Sequence, residues 1–158
     1  MRTAAQARTG CQSGRGSGRT RRDQARSVIY LDTSVALAWL LTEDWRPQVS
    51  VRDGTLVSNR LLECEIWTPL HSRSIADSHG EAARQPIGRV ALLELTPRDL
   101  VRALDAIPAP LRTLDSLHLA SFAYLADQGQ NVELASCDQR MNEVAREMDI
   151  QLFNPEAA

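Results

Sequence analysis

Val28-Ile29-Tyr30-Leu31-Asp32-Thr33-Ser34 is the stretch from which the rest of the chain is read. Four apolar residues, two of them β-branched and one aromatic, run without a charge until an acid stops them. Such a run predicts a strand covered on both faces, as in a parallel sheet. Ser34 then offers a cap to a helix that presses Val35, Leu37, Ala38, Trp39, Leu40 and Leu41 against that sheet. Ligands of open α/β sheets bind beyond the carboxyl ends of the strands, so Asp32 is expected at a site.

Downstream, Thr42 to Gly54 is polar and broken by Pro47, and Thr55-Leu56-Val57-Ser58 reads as a second strand. A helix is expected from about Asn59, with Leu61, Leu62, Glu65, Ile66 and Leu70 on one broad face and Glu63 turned toward water. Glu65 among apolar residues is costly unless paired or bound to metal. Pro69 removes the bond to the Glu65 carbonyl and should kink this helix. Asp77–Gly88 reads as a polar connector with a short helix at most, and Arg89–Leu95 as a third strand. Thr96-Pro97-Arg98-Asp99 starts a helix with a cap, a Pro in the first turn and an acid three after the cap, ending near Ile107. The next helix opens around Leu111–Asp115 and ends at Gly129. Val132–Ser136 is a fourth strand leading to Asp138. A helix with Met141, Val144, Ala145 and Met148 follows, then a last strand, Ile150–Phe153, closed by Pro155. Alternating strands and helices predict an α/β fold: a single domain with a mostly parallel sheet of about five strands flanked by helices.

The 158 residues suit one domain with a real core, over residues 28–158, and no stretch is apolar enough to span a membrane. A net charge of −2 hides an asymmetry: residues 1–27 carry seven Arg and one acid, whereas 28–158 carry 11 Arg against 19 acids, hence −8. The leader has the composition of a disordered segment. It reads either as a basic arm for nucleic acid or as an upstream extension from a misplaced start codon. Every basic residue is Arg. Without Lys there is neither a G-x-x-x-x-G-K-[ST] phosphate loop nor a Schiff-base enzyme, and phosphotransfer or phosphatase domains that start from a strand ending in Asp are disfavoured too. The three Cys, at 11, 64 and 137, form no C-x-x-C pair, so no disulfide framework or thiolate zinc site is indicated. A cytoplasmic, soluble protein is the expectation, with Cys64 and Cys137 as small buried hydrophobes.

Asp32 and Asp138 follow strands, Asp115 lies in the first turn of a helix, and Glu65 faces inward on another. Strand ends and helix starts of one sheet share a side, so the four carboxylates are expected to converge. At ~4 Å and an effective dielectric of ~20, each like-charged pair costs about 4 kcal/mol, which protonation or bound cations relieve. All-oxygen ligation favours Mg²⁺ or Mn²⁺ over zinc. Carboxylate-held ions of this kind activate water and stabilise a leaving oxygen, so phosphodiester hydrolysis is the natural inference.

Tyr30-Leu-Asp32-Thr-Ser34, Ser58-x-x-Leu-Leu-x-x-Glu65, Arg112-Thr-Leu-Asp115-Ser-Leu-His118-Leu-Ala and Ser136-x-Asp138 together resemble the PIN-domain ribonucleases, specifically VapC-type toxins of bacterial toxin–antitoxin pairs. The resemblance covers roughly residues 28–155 and is most specific around Asp115. It implies a Mg²⁺-dependent endoribonuclease with Asp32, Glu65, Asp115 and Asp138 as the acidic, metal-holding site, assisted by Ser34 or Ser136. It also implies a homodimer, and a VapB-like antitoxin whose peptide lies along the groove and presents an Arg to the acids. Pro69, Cys137 and the basic leader depart from the pattern; the first leaves Glu63 as an alternative to Glu65. The competing reading is a catalytically weak PIN-like module that acts as a binding partner in an antitoxin or repressor complex.

Arg112 is read three ways: orienting Asp115, gripping RNA phosphate, or pairing with a surface acid. His118, between leucines, is read as a satisfied core histidine, and His71 and His79 as surface residues. Trp39 and Trp67 read as core or dimer contacts, and Trp45 as a loop residue.

Overall fold

The computed structural model describes residues 28–41, 55–105 and 107–154. The Arg-rich leader 1–27, the connector 42–54 with Pro47 and Trp45, and Pro155 lie outside them. Strand β1 (Val28–Leu31) leads into α1 (Thr33–Leu41), and β2 (Thr55–Asn59) into α2 (Leu61–Ser72) and α3 (Ala76–Ile87). Strand β3 (Ala91–Leu93) is followed by α4 (Pro97–Arg102) and α5 (Thr113–Asp127), and β4 (Val132–Ala135) by α6 (Gln139–Glu147).

The strands form one parallel sheet in the order β3-β2-β1-β4. Central β1 is covered on both faces by the alternation expected of a strand. Ile29 and Leu31 join Val35, Ala36, Leu56, Leu62, Ile66, Leu70 and Ala83 on the side of α1, α2 and α3. Tyr30 joins Leu119, Phe122, Leu134, Met141, Val144 and Ala145 on the side of α5 and α6. Ile29, Tyr30 and Leu31 are at most 2% exposed, and burying side chains of this size contributes roughly 1.5–3 kcal/mol each.

The expected fifth strand is reduced to a single parallel bridge, Leu134 to Leu152, because the main chain leaves the register of β4 after one pairing. The segment read as a polar connector is instead the full helix α3. Its inward stripe, Ala76, Gly80, Ala83 and Ile87, consists mostly of small residues, so the helical period carries little apolar signal, although Gly80 lets the Trp67 ring pack close: a Cβ there would stand 3.2 Å from the indole. Pro69 lies inside α2, which continues to Ser72 with Leu62, Ile66 and Leu70 all buried along one side. The capping box of Thr96 and Asp99 forms as expected, but α4 stops at Arg102, short of Ile107. Helix α5 ends before Gly129, whose φ of 76° is the left-handed conformation glycine adopts without strain.

Cys64 and Cys137 are exposed rather than buried, one on the side of α2 that lines a surface cleft and the other in the turn leaving β4. Ser34 is not a cap; it lies within the first turn of α1 and spends its hydroxyl on Asp32. His71 is exposed and His79 half-buried. Trp39 and Trp67 are half-buried, Trp67 against the core, with the guanidinium groups of Arg89 and Arg84 over their respective rings. No helix among the described residues is long and apolar enough to cross a membrane.

Candidate active site

Strand order reverses at β1: the chain first moves outward to β2 and β3, then returns to place β4 on the other side of β1. The crevice at such a switch point is where α/β sheets bind ligands. Leu31 pairs with Ala135, and the Asp32 amide bonds the Ala135 carbonyl at 2.9 Å, so Asp32 and the Ser136–Asp138 turn emerge side by side.

Asp32 is 5% exposed. Its Oδ2 accepts the hydroxyls of Ser34 and, at 2.9 Å, Ser136, together with the Ser34 amide at 3.3 Å. The same hydroxyls accept in turn: Ser34 Oγ from the Cys137 amide at 2.9 Å, Ser136 Oγ from the Asp138 amide at 3.0 Å. Two serines thus lock the β4–α6 turn to the end of β1. Asp138 Oδ1 accepts the Met141 amide at 3.1 Å and caps α6.

Glu65 reaches the site from α2. Its Oε2 accepts the Thr33 hydroxyl at 2.7 Å and lies 2.7 Å from His118 Nε2. Burial pushes this carboxyl up, but the hydrogen bonds from His118 and Thr33 outweigh it and hold it below the usual carboxylate range. Glu65 lines the cleft with Pro69 in place, whereas Glu63 is outside the lining and pairs with Arg60 at 3.1 Å. Asp115 comes from the first turn of α5. Burial and the charge of Asp32 push it up; the Arg112 backbone opposes this, Asp138 adds to it, and the Arg112 charge again pulls down. Of the roles expected for Arg112, the charge beside Asp115 is the one visible.

Asp32, Thr33, Ser34, Glu65, Arg112, Asp115 and Asp138 line one cleft of about 380 Å³ with Cys64, Thr68 and Pro69. A larger hollow of about 470 Å³ lies between α4 and α5, and two of its three acids are engaged in structural contacts, Asp99 in the capping box and Asp127 with Arg102, with Asp105 as the third. Sequence reasoning passed over Thr33 and the involvement of His118 with Glu65. The spacing of His118, three residues after Asp115 on one helix, carries that signal.

A shared pattern runs through the acids. Asp32, Glu65 and Asp138 each receive every protein hydrogen bond on one oxygen, and the other oxygen has no hydrogen-bond partner among the described residues. As the side chains stand, no three His, Cys, Asp or Glu residues among those described form a set that could hold a metal ion. The donor chemistry nevertheless fits a hard divalent cation: all candidate ligands are oxygens, one oxygen of each of these three acids is left to accept a cation, and Asp115 is pushed up by burial and by the charges of Asp32 and Asp138. Mg²⁺ keeps several waters and needs only one or two carboxylates, so a closed protein cage is not required.

A PIN domain model matches residues 29–147. The chain is 29% identical over 134 residues to a protein named Ribonuclease VapC46 from Mycobacterium tuberculosis (strain ATCC 25618 / H37Rv), spanning 82% of this chain and 98% of that one.

Proposed function

The chain belongs to the PIN-domain family, and from that premise we propose that it is a Mg²⁺-dependent endoribonuclease that acts as the toxin of a toxin–antitoxin pair. The observation that carries this reading is the convergence of Asp32, Glu65, Asp115 and Asp138 on one cleft at the switch point of the sheet. The relative named Ribonuclease VapC46 supports the substrate class and the pairing with a VapB-like antitoxin.

Asp32, Asp115 and Asp138 would hold the cation, with Glu65 completing the acidic set; Mn²⁺ is the natural substitute. When bound, such an ion lowers the pKa of its water and neutralises charge on the scissile phosphate. Asp32 is fixed by the two serine hydroxyls. Glu65 is kept ionised by His118 and Thr33, which suits it to accept a proton from an attacking water. Arg112, exposed at the cleft rim, supplies a fork for the RNA phosphate. The cleft repels a polyanion until a cation enters, which couples RNA binding to metal binding.

Purified protein is incubated with total RNA in Mg²⁺, in EDTA, and as the Asp115→Asn variant. Discrete cuts that require both Mg²⁺ and Asp115 support the nuclease. A folded, antitoxin-free protein that cuts nothing moves the assignment to a binding module in an antitoxin complex.

A further inference from the structure

His118 is fully buried, and both of its ring nitrogens are engaged. Nδ1 lies 3.1 Å from the Tyr30 hydroxyl, and Nε2 lies 2.7 Å from Glu65 Oε2 and 3.3 Å from the Thr33 hydroxyl. Tyr30 is itself buried. A carboxylate oxygen can only accept, so Nε2 carries a hydrogen and donates to Glu65, while Nδ1 is left to the Tyr30 hydroxyl.

The line Tyr30–His118–Glu65 joins three elements, β1, α5 and α2. Glu65 sits on α2, in which Pro69 has no N–H to bond the Glu65 carbonyl. Its side chain gains a fixed reference from outside that helix. Because His118 and Thr33 both act on Oε2, Oε1 is left without a protein partner among the described residues.

We propose that His118 is a positioning residue: it holds Glu65 through an Nε2–H donor, braced at Nδ1 by the Tyr30 hydroxyl, so that Oε1 is presented to the cation and its water. The assignment rests on the nuclease reading above for its consequence in catalysis, but not for the tautomer.

Three variants are compared with the unsubstituted protein. His118→Gln retains a donor near Nε2, His118→Leu removes it, and Tyr30→Phe removes only the phenol hydroxyl. Folding is checked by circular dichroism, Mn²⁺ binding by electron paramagnetic resonance, and cleavage as separate kcat and KM. The His118 tautomer is read from long-range ¹⁵N–¹H spectra of the metal-free protein. The expected results are the Nε2–H tautomer, a loss of roughly tenfold or more in Mn²⁺ affinity and kcat for His118→Leu, as is typical when the partner that orients a metal-holding side chain is removed, and substantial recovery in His118→Gln with KM little changed.

An Nδ1–H tautomer overturns the proposal, as does a folded His118→Leu that binds Mn²⁺ and cleaves within twofold of the unsubstituted protein. Should His118→Leu fail to fold, Tyr30→Phe decides: reduced cleavage with an intact fold supports the assignment, and unchanged cleavage overturns it. A native protein that neither binds Mn²⁺ nor cuts RNA overturns the nuclease reading instead, and the tautomer measurement still decides the positioning.

Discussion

Ser136 donates its hydroxyl to Asp32 Oδ2 at 2.9 Å across 104 positions of sequence, and Ser136 Oγ accepts the Asp138 amide at 3.0 Å. One small side chain thus connects the acid that ends β1 with the acid that starts α6. The acidic site is held together as much by hydroxyls as by the sheet itself.

Replacing Ser136 by Ala removes a donor from a carboxylate that is only 5% exposed. Hydrogen bonds to charged groups contribute about 1.5–3 kcal/mol, and the remaining donors from Ser34 should limit the loss to the lower end of that range. Urea unfolding of Ser136→Ala should show a lower midpoint with an unchanged slope, and RNA cleavage should fall. An unchanged midpoint would show that Ser34 alone suffices.

Asp115 is held above the usual carboxylate range in the folded state, so folding favours its protonated form. The folded state then binds more protons than the unfolded one, and this group's effect on stability worsens as pH rises through that window. Asp115→Asn should match or exceed the parent in thermal stability at pH 7, with the difference shrinking toward acid pH, while cleavage drops to background. A less stable Asp115→Asn at pH 7 contradicts the repulsion argument.

Glu65 behaves with the opposite sign. Its folded value is depressed, so its contribution is present above its unfolded value and is lost as pH falls through the folded one. Glu65→Gln should flatten the acid limb of the stability profile measured by urea melts between pH 3 and 7 (roughly the carboxylate range). An acid limb as steep as the parent's would place that stability in other groups.

Thr96→Ala tests a region remote from the chemistry. The Thr96 amide bonds Asp99 Oδ2 at 2.7 Å, and the Asp99 amide bonds the Thr96 hydroxyl at 3.4 Å. Losing the cap costs about 1 kcal/mol. Thermal melts should register the loss while RNA cleavage and Mg²⁺ dependence stay at the parental level; a large fall in cleavage would tie α4 to the site.

Local chemistry was enough to place most elements. An uncharged β-branched and aromatic run that stops at Asp32 can be buried only as an inner strand, and Thr96-Pro97 with Asp99 can satisfy the free amides of a helix start only by capping it. Asp32 and Asp138 were legible because they follow strands, Asp115 because it lies in the first turn of a helix, and Glu65 because it falls among the apolar residues of a helix face. Pairing partners were not. Helix α3 stayed hidden because its inward residues Ala76, Gly80 and Ala83 are small and show as an apolar face only once packed, with Trp67 against Gly80, and Ile150–Phe153 reads as a strand although a single bridge is all that β4 offers it. Glu65 and Glu63 differ by two positions on α2, and the fold separates them: one meets Thr33 and His118, the other Arg60. Residues 53 and 104 positions apart become hydrogen-bonded neighbours through chain folding alone. Sequence determines which side chains can carry charge or donate a proton; tertiary packing determines which oxygen of each acid is tied down and which is left for the ligand.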